Sequence, residues 1–161
     1  AIRMGQMSDS SLGARYLGLN PWVMVATDAY LGAHGEPRCV ADLAGHACIV
    51  YSSVQGDDRW RMTEPGGASA SVPVRGPLRS NNLSAVLAAA SNGMGLAILP
   101  WYVARESLAS GTVKPVMVDH SLPAQEMHAV YPSPKLVPHK VSAFIGHLQG
   151  RLVGDWWLDA I

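Results

Sequence analysis

The sequence is poor in the features that usually mark a chemistry. Two cysteines, Cys39 and Cys48, are too few for a disulfide framework, and their spacing does not match paired zinc ligands. Both read as buried thiols of a reducing compartment. Twelve Lys plus Arg balance twelve Asp plus Glu with no basic run, so the electrostatic footprint of a nucleic-acid binder is missing. No apolar run approaches a membrane span and no signal-peptide pattern stands at the start, so a cytoplasmic location without membrane contact is expected. There is no Walker lysine loop, no G-x-S-x-G elbow and no H-E-x-x-H. Gly93 and Gly95 fail as a dinucleotide fingerprint, because Ile98 holds the third glycine position and the glycines precede a strand rather than a helix. The six histidines, His34, His46, His120, His128, His139 and His147, stand far apart at expected loop or element ends and read as solvated. No metal site, catalytic set or cofactor is predicted.

What is present is enough apolar sequence to fold. With 161 residues, 48% hydrophobic and 15% charged, the chain can bury one core or two small lobes sharing a cleft. The run Ala1 to Gly5 looks like the end of a strand without initiator Met, cap or leader, so the chain is expected to begin inside a domain. No internal repeat or low-complexity tract occurs.

The clearest local signal runs from Leu78 to Pro100 and reads as a β-α-β unit. Leu83, Val86, Leu87 and Ala90 share one helical face, Ser80, Asn81 and Asn82 offer N-capping oxygens, and Asn92 and Gly93 suit a helix C-terminus. Leu96 to Leu99 is an unbroken apolar run stopped by Pro100, which predicts a central, parallel strand buried on both faces.

Around it, Gln6 to Ser11 is a polar loop, and Leu12, Ala14 and Tyr16 alternate as in a half-buried strand. Trp22 to Ala26 is a second strand. Thr27 and Asp28 cap a short helix over Ala29 to Ala33 that Gly35 ends, and Asp42 to Ala44 suggest a helical turn before the strand Ala47 to Tyr51. Arg59 to Met62 and Ser71 to Val74 flank turn residues and form a peripheral hairpin. A helix from Trp101 to Ser110 precedes an edge strand around Val113 to Val118, which contains Pro115. Met127 to Tyr131 is the last strand, followed by a Pro132-Ser133-Pro134 turn. Val141, Phe144, Ile145, Leu148 and Leu152 then mark an amphipathic helix starting near Pro138. Trp156 and Trp157 need a partner surface or are poorly ordered.

In an open α/β sheet, ligands bind outside the carboxyl ends of parallel strands, where helix N-termini point free N–H groups at an anion. The residues at those ends are Tyr51, Ser52 and Ser53; Ser80, Asn81 and Asn82; and Leu99 with Pro100. For Ser80 to Asn82, plain capping and ligand contact are both open and compatible. Arg3, ending the first strand, reads equally as an exposed edge arginine or as an anion contact.

Taken together, Ala1-Ile2-Arg3-Met4-Gly5, Leu17-Gly18-x-x-Pro21-Trp22-Val23-Met24-Val25 with Ala29-Tyr30-Leu31, Asp42-Leu43 before Cys48-Ile49-Val50-Tyr51, Trp60-Arg61, and Ser80-Asn81-Asn82-x-x-Ala85 through Gly93-x-Gly95-Leu96-Ala97-x-Leu99-Pro100 resemble the effector-binding domain of LysR-type transcriptional regulators. The likeness runs nearly end to end. It implies an α/β, two-lobed periplasmic-binding-protein-like (type 2) fold with a small-molecule effector in the inter-lobe cleft. The second lobe would be complete and the first incomplete: residues 1–25 a partial first lobe, 26–126 the second lobe, and 127–161 the return strand, C-terminal helix and tail. Trp22 to Thr27 and Met127 to Tyr131 would be the crossings. The N-terminal winged helix-turn-helix and the first part of lobe one have no counterpart here, so DNA contact would belong to a missing N-terminal domain.

The expected function is therefore an effector sensor, not an enzyme, binding a small anionic molecule and forming a homo-oligomer. The effector would lie near Ser80, Asn81 and Asn82, with Arg3 opposite, Leu99 and Pro100 as apolar wall, and Tyr51 to Ser53 along one side. A free-standing solute-binding domain and, third, an enzyme on the same scaffold are the alternatives.

Overall fold

The computed structural model describes residues 1–5, 12–54, 58–132 and 137–157. The expected loop over residues 6–11 and the Ser133-Pro134 part of the turn lie outside them. The chain divides into two compact units, Ala1–Pro21 with Ala124–Ile161, and Trp22–Pro123. These limits differ from the expected 25/26 and 126/127 because the strand beginning at Trp22 is hydrogen-bonded wholly within the second unit.

That second unit is built on a five-stranded sheet. Its elements in chain order are β3 (Trp22–Ala26), α1 (Asp28–His34), a 3₁₀ turn (Val40–Gly45), β4 (Cys48–Tyr51), β5 (Arg59–Thr63), β6 (Ser69–Pro73), β7 (Arg79–Ser80), α2 (Leu83–Ser91), β8 (Leu96–Pro100), α3 (Trp101–Ala109) and β9 (Lys114–Pro115). The strand order is β7-β4-β8-β3-β9. β8 is central, as its apolar run requires, but parallel only on one side: β4 runs with it and with β7, while β3 pairs antiparallel to it. The correction is topological. A buried apolar run reports burial on two faces and not the direction of its neighbours.

Both faces of the sheet are covered. Trp22, Met24, Cys48, Leu96 and Ile98 face one core, and Val23, Val25, Ile49, Ala97 and Leu99 face the other, where Val86 and Ala90 of α2 and Ala104 of α3 close over them. The β5–β6 hairpin is not peripheral. Trp60, Met62 and Val72 bury their side chains in the first core, because alternate residues of the hairpin are apolar and turn inward. Two close approaches clamp β4. A Cβ on Gly76 would lie 2.0 Å from the Cys48 carbonyl oxygen, and one on Gly95, at φ +153°, would lie 2.2 Å from that of Ala47.

Local chemistry sets the helix ends. Thr27 caps α1 through its hydroxyl, which accepts from the Tyr30 N–H at 3.2 Å, and Gly35 ends it in the left-handed region. The 3₁₀ turn is held by the Asp42 carboxylate, which accepts from the Arg38 and Cys39 N–H groups; those bonds keep Asp42 below the usual carboxylate range.

The first unit is a three-stranded antiparallel sheet in the order β1 (Ile2–Met4), β10 (Gln125–Tyr131), β2 (Gly13–Asn20), with α4 (His139–Arg151) beside it. Leu17, Met127, Ala129 and Ile145 form its core, joined by Val141, Leu148, Leu152 and Trp156. The Trp156 indole N–H donates to the Leu19 carbonyl at 2.9 Å, so that residue does have a partner surface. Two faces differ from expectation. Ala14 and Tyr16 are exposed while Leu17 is buried, because the bulge between Met127 and His128 shifts the pairing of β2 by one residue. Phe144 is 60% exposed although it shares the helical spacing of Ile145, since the small core offers room for one edge of α4 only.

Candidate functional site

The carboxyl ends of β7, β4 and β8 lie side by side. Tyr51 is in register with Ser80, and the pairing of Ile49 with Ala97 carries Leu99 level with Tyr51. Pro100 follows, opposite Trp22 of β3, and the rings of Trp22 and Tyr51 are 6.0 Å apart. The structure thus brings together Tyr51, Ser52, Ser53, Ser80, Asn81, Asn82, Leu99 and Pro100 on one edge of the second unit's sheet. Arg3 belongs to the first unit, on β1 opposite His128, and is exposed.

The polar residues on this edge do different work. Asn82 is the N-cap of α2, its Oδ1 accepting from the Ala85 N–H at 3.1 Å. The Ser80 hydroxyl accepts from the Asn82 N–H, also at 3.1 Å, which tightens the turn into the helix. Asn81 is exposed and makes no side-chain hydrogen bond among the described residues. Of the three, Asn81 is the one whose side chain takes no part in capping the helix.

The helix expected from Trp101 is present, but sequence reasoning did not connect its N-terminus with this edge. α3 begins at Trp101 with Pro100 as its N-cap and no side-chain cap, so its first turn keeps N–H groups that no cap accepts from. Tyr102, in that turn, has its phenol pushed above the ordinary value by burial and then by Tyr51 beside it. A signal existed in the sequence: a strand ended by proline and followed by aromatics at a helix start. Charge was missed as well. Val54, Arg59, Arg61 and Ile98 line a depression of about 190 Å³ just past Ser53. Arg59 is committed to Ser71, through Nε to Oγ at 2.9 Å and Nη2 to the carbonyl at 3.0 Å. Arg61 is exposed and brings positive charge to the rim.

The cysteines and histidines need correcting too. Cys48 is buried, but Cys39 is exposed. His120 has a side chain only 5% exposed, with Nδ1 2.7 Å from Asp119, and His128 lies within β10 with its side chain 14% exposed. His147 lies inside α4 rather than at an element end. His46 sits 3.2 Å from the Tyr30 hydroxyl, and burial lowers its pKa. Among the described residues no group of three or more His, Cys, Asp or Glu is arranged to hold a metal ion. No helix among them is long and apolar enough to cross a membrane.

Known proteins match this chain along most of its length. The HTH-type transcriptional regulator PtxR of Pseudomonas aeruginosa is 32% identical over 94% of the chain, and the HTH-type transcriptional activator AaeR of Escherichia coli is 29% identical over the same share. The full-length structure of AphB, a Vibrio cholerae virulence activator of the LTTR protein family, superposes with a TM-score of 0.82 at 28% identity, covering 94% of this chain and 51% of that one. The CrgA regulatory domain of Neisseria meningitidis, at 23% identity and a TM-score of 0.76, shares the fold. The fold is the two-lobed periplasmic-binding-protein-like type 2 fold of such regulatory domains. The chain spans about half the length of the curated relatives it matches, 48% of PtxR and 49% of AaeR. The family model of the LysR substrate binding domain matches residues 1–153, and the chain belongs to that family.

Proposed function

We propose that this chain is the sensing half of a LysR-type regulator and that its effector is a small anion held at the carboxyl edge of the second unit's sheet. The observation that carries the reading is the pairing on that edge of an uncapped helix, α3, with the uncommitted Asn81 side chain. Free N–H groups and a helix dipole favour negative charge, and Arg61 adds to the field. Leu99 and Pro100 supply the apolar wall, and Tyr51 to Ser53 and Ser80 to Asn82 line the polar side. Pockets of this kind are largely apolar with a few convergent polar groups.

The relatives are regulators named for their helix-turn-helix, and this chain carries no net charge. DNA contact therefore falls to a segment beyond the matched half, and the chain's own work is binding rather than catalysis. Effector binding shifts the protein between two states only by its differential affinity for them. The intact regulator acts in the cytoplasm as a homo-oligomer.

The test is native mass spectrometry of protein purified from cells, followed by calorimetric titration of the retained molecule into the wild type and Asn81→Leu. The substitution is expected to weaken binding at least tenfold, about 1.4 kcal/mol, the scale of a hydrogen bond to a charged group. An affinity within about twofold of wild type would place the site elsewhere.

A further inference from the structure

The amino end of the second unit's sheet, away from the effector edge, carries a cluster of aromatic and titratable side chains. Tyr30 of α1 is 4% exposed, and its ring stacks on His34 with centroids 4.3 Å apart and planes 18° from parallel. Its hydroxyl accepts from the Ala47 N–H at 2.9 Å and lies 3.2 Å from His46 Nδ1. Ala47 stands just before β4, and its carbonyl accepts from the Leu96 N–H at the start of β8. The phenol therefore ties α1 to the point where two central strands begin. Tyr51, at the effector edge, is roughly 13 Å of strand away.

The proton on that hydroxyl has one place to go. Ala47 already donates to the oxygen, so the phenol proton is given to His46 Nδ1, the acceptor within reach. His46 is then neutral, with its own proton on Nε2. Protonation replaces the Nδ1 lone pair with an N–H, and two donors face each other. Either the phenol proton turns away or the half-buried His46 ring swings out. His34 differs, because its Nδ1 faces the Tyr30 carbonyl at 3.0 Å, a bond that a neutral Nδ1–H and a charged ring donate equally well. Of the two histidines, His46 is the one whose bond reverses.

The surroundings favour the neutral ring. Burial, and then His34, hold His46 below the ordinary histidine range, while the Asp42 carboxylate pulls the other way. Asp42 is itself engaged by the Arg38 and Cys39 N–H groups. On β4 the Cys48 thiol, kept protonated by burial, donates to the His46 carbonyl at 3.6 Å. Arg75, which bridges Ala47 from the other side, is exposed.

We propose that the Tyr30–His46 contact is an acid-sensitive latch, which fastens α1 to the amino end of β4 while His46 is neutral and loosens it when the imidazole is protonated. An unfolded histidine takes up its proton near about pH 6.5, and the folded one resists. The latch therefore contributes fully above that pH and is lost as the pH falls through the lower, folded value. Mild acid acts on the second unit from the end opposite its effector edge.

Nitrogen NMR of the chain labelled at its histidine rings reads the first step. At about pH 7.5, a unit above the ordinary histidine value, His46 should be the tautomer protonated at Nε2, and it should titrate below that value. Amide hydrogen exchange, corrected for its intrinsic rate, reads the second. Protection at Ala47, Leu31 and Gly35 should fall at least fivefold between about pH 7.5 and about pH 5.5, on either side of that value, with Ile98 and Ile145 unchanged. His46→Asn, whose side-chain oxygen accepts from Tyr30 and does not titrate, should keep its protection over the same range. If that variant does not fold, Tyr30→Phe should move the His46 titration up toward the ordinary value. A wild-type His46 protonated at Nδ1 near neutral pH, protection at Ala47 indifferent to pH, an equal loss in His46→Asn, or a His46 titration unmoved by Tyr30→Phe would each overturn the proposal.

Discussion

Tyr51 and Ser80 stand opposite each other in parallel register, and the N–H of Ser52 donates to the Ser80 carbonyl at 2.9 Å. That pairing ties the turn after β4 to the turn into α2, so the two groups of edge residues form one rigid rim.

On that rim, Asn81 and Asn82 are neighbours in sequence with separable tasks. Asn82→Ala removes the cap of α2 and should cost about 1 kcal/mol of stability, within the range measured for lost N-caps. Asn81→Leu should leave the unfolding free energy within about 0.5 kcal/mol of wild type while weakening effector binding. Urea unfolding of both variants checks the division. An equal loss of stability from each would mean that Asn81 also holds the fold.

How much of this was legible can be followed along the same residues. The helix over Leu83 to Ser91 and the buried run of β8 were readable because period and burial are local signals. The direction of β3 against β8 was not, since antiparallel and parallel neighbours bury the same side chains. Trp60 and Met62 were misplaced because a two-stranded ribbon has an apolar side whether it lies at the rim or under a sheet. Ser80, Asn81 and Asn82 looked alike in sequence, and only the bonds to Asn82 N–H and Ala85 N–H separated them. The start of α3 at Trp101 was legible, but its place beside the candidate site was not, because proline at a cap leaves no polar side chain to notice.

The two glycines that clamp β4 should be the least replaceable in the second unit. Gly76→Ala and Gly95→Ala drive a methyl into the backbone carbonyls of Cys48, in β4, and of Ala47 just before it, and a backbone there cannot yield as a side-chain tip can. Each should lose about 2 kcal/mol or more, on the scale of overpacked cores. Gly67→Ala, in an open turn at φ +86°, should cost about 1 kcal/mol, from conformational strain alone. Chemical denaturation with an unchanged m-value is the measurement.

The two thiols should behave oppositely. Burial pushes the Cys48 thiol up to about 12, whereas Cys39 is exposed. In the native protein Ellman's reagent should react at once with Cys39 and reach Cys48 only after unfolding. The unfolded thiol ionises near about 8.5, so above that pH the unfolded chain loses a proton that the folded chain keeps. Cys48 therefore contributes its full stability below about pH 8.5 and loses it as pH rises toward 12. The slope is at most about 1.4 kcal/mol per pH unit. Cys48→Ala should flatten that alkaline slope; an unchanged slope would assign it to other groups.

Self-association should run through the first unit. Ile2, Met4 and Phe144 are 51%, 45% and 60% exposed, and Ile2 with Val141, Phe144 and Leu148 lines a groove of about 500 Å³ beside the edge of β1. β1 pairs with β10 alone among the described strands, so its other edge offers unpaired backbone groups. In a two-fold assembly each substitution counts twice, once per copy. Burying a phenylalanine side chain is worth about 2 kcal/mol, so Phe144→Glu should raise a dimer dissociation constant several-hundredfold when both copies lose it, roughly 4 kcal/mol in all. Ile2→Lys should act in the same direction, because a lysine on an edge strand opposes strand addition. Sedimentation velocity across a hundredfold range of protein concentration reads the result. A wild-type chain that stays monomeric throughout would show that these faces meet something other than their own copy.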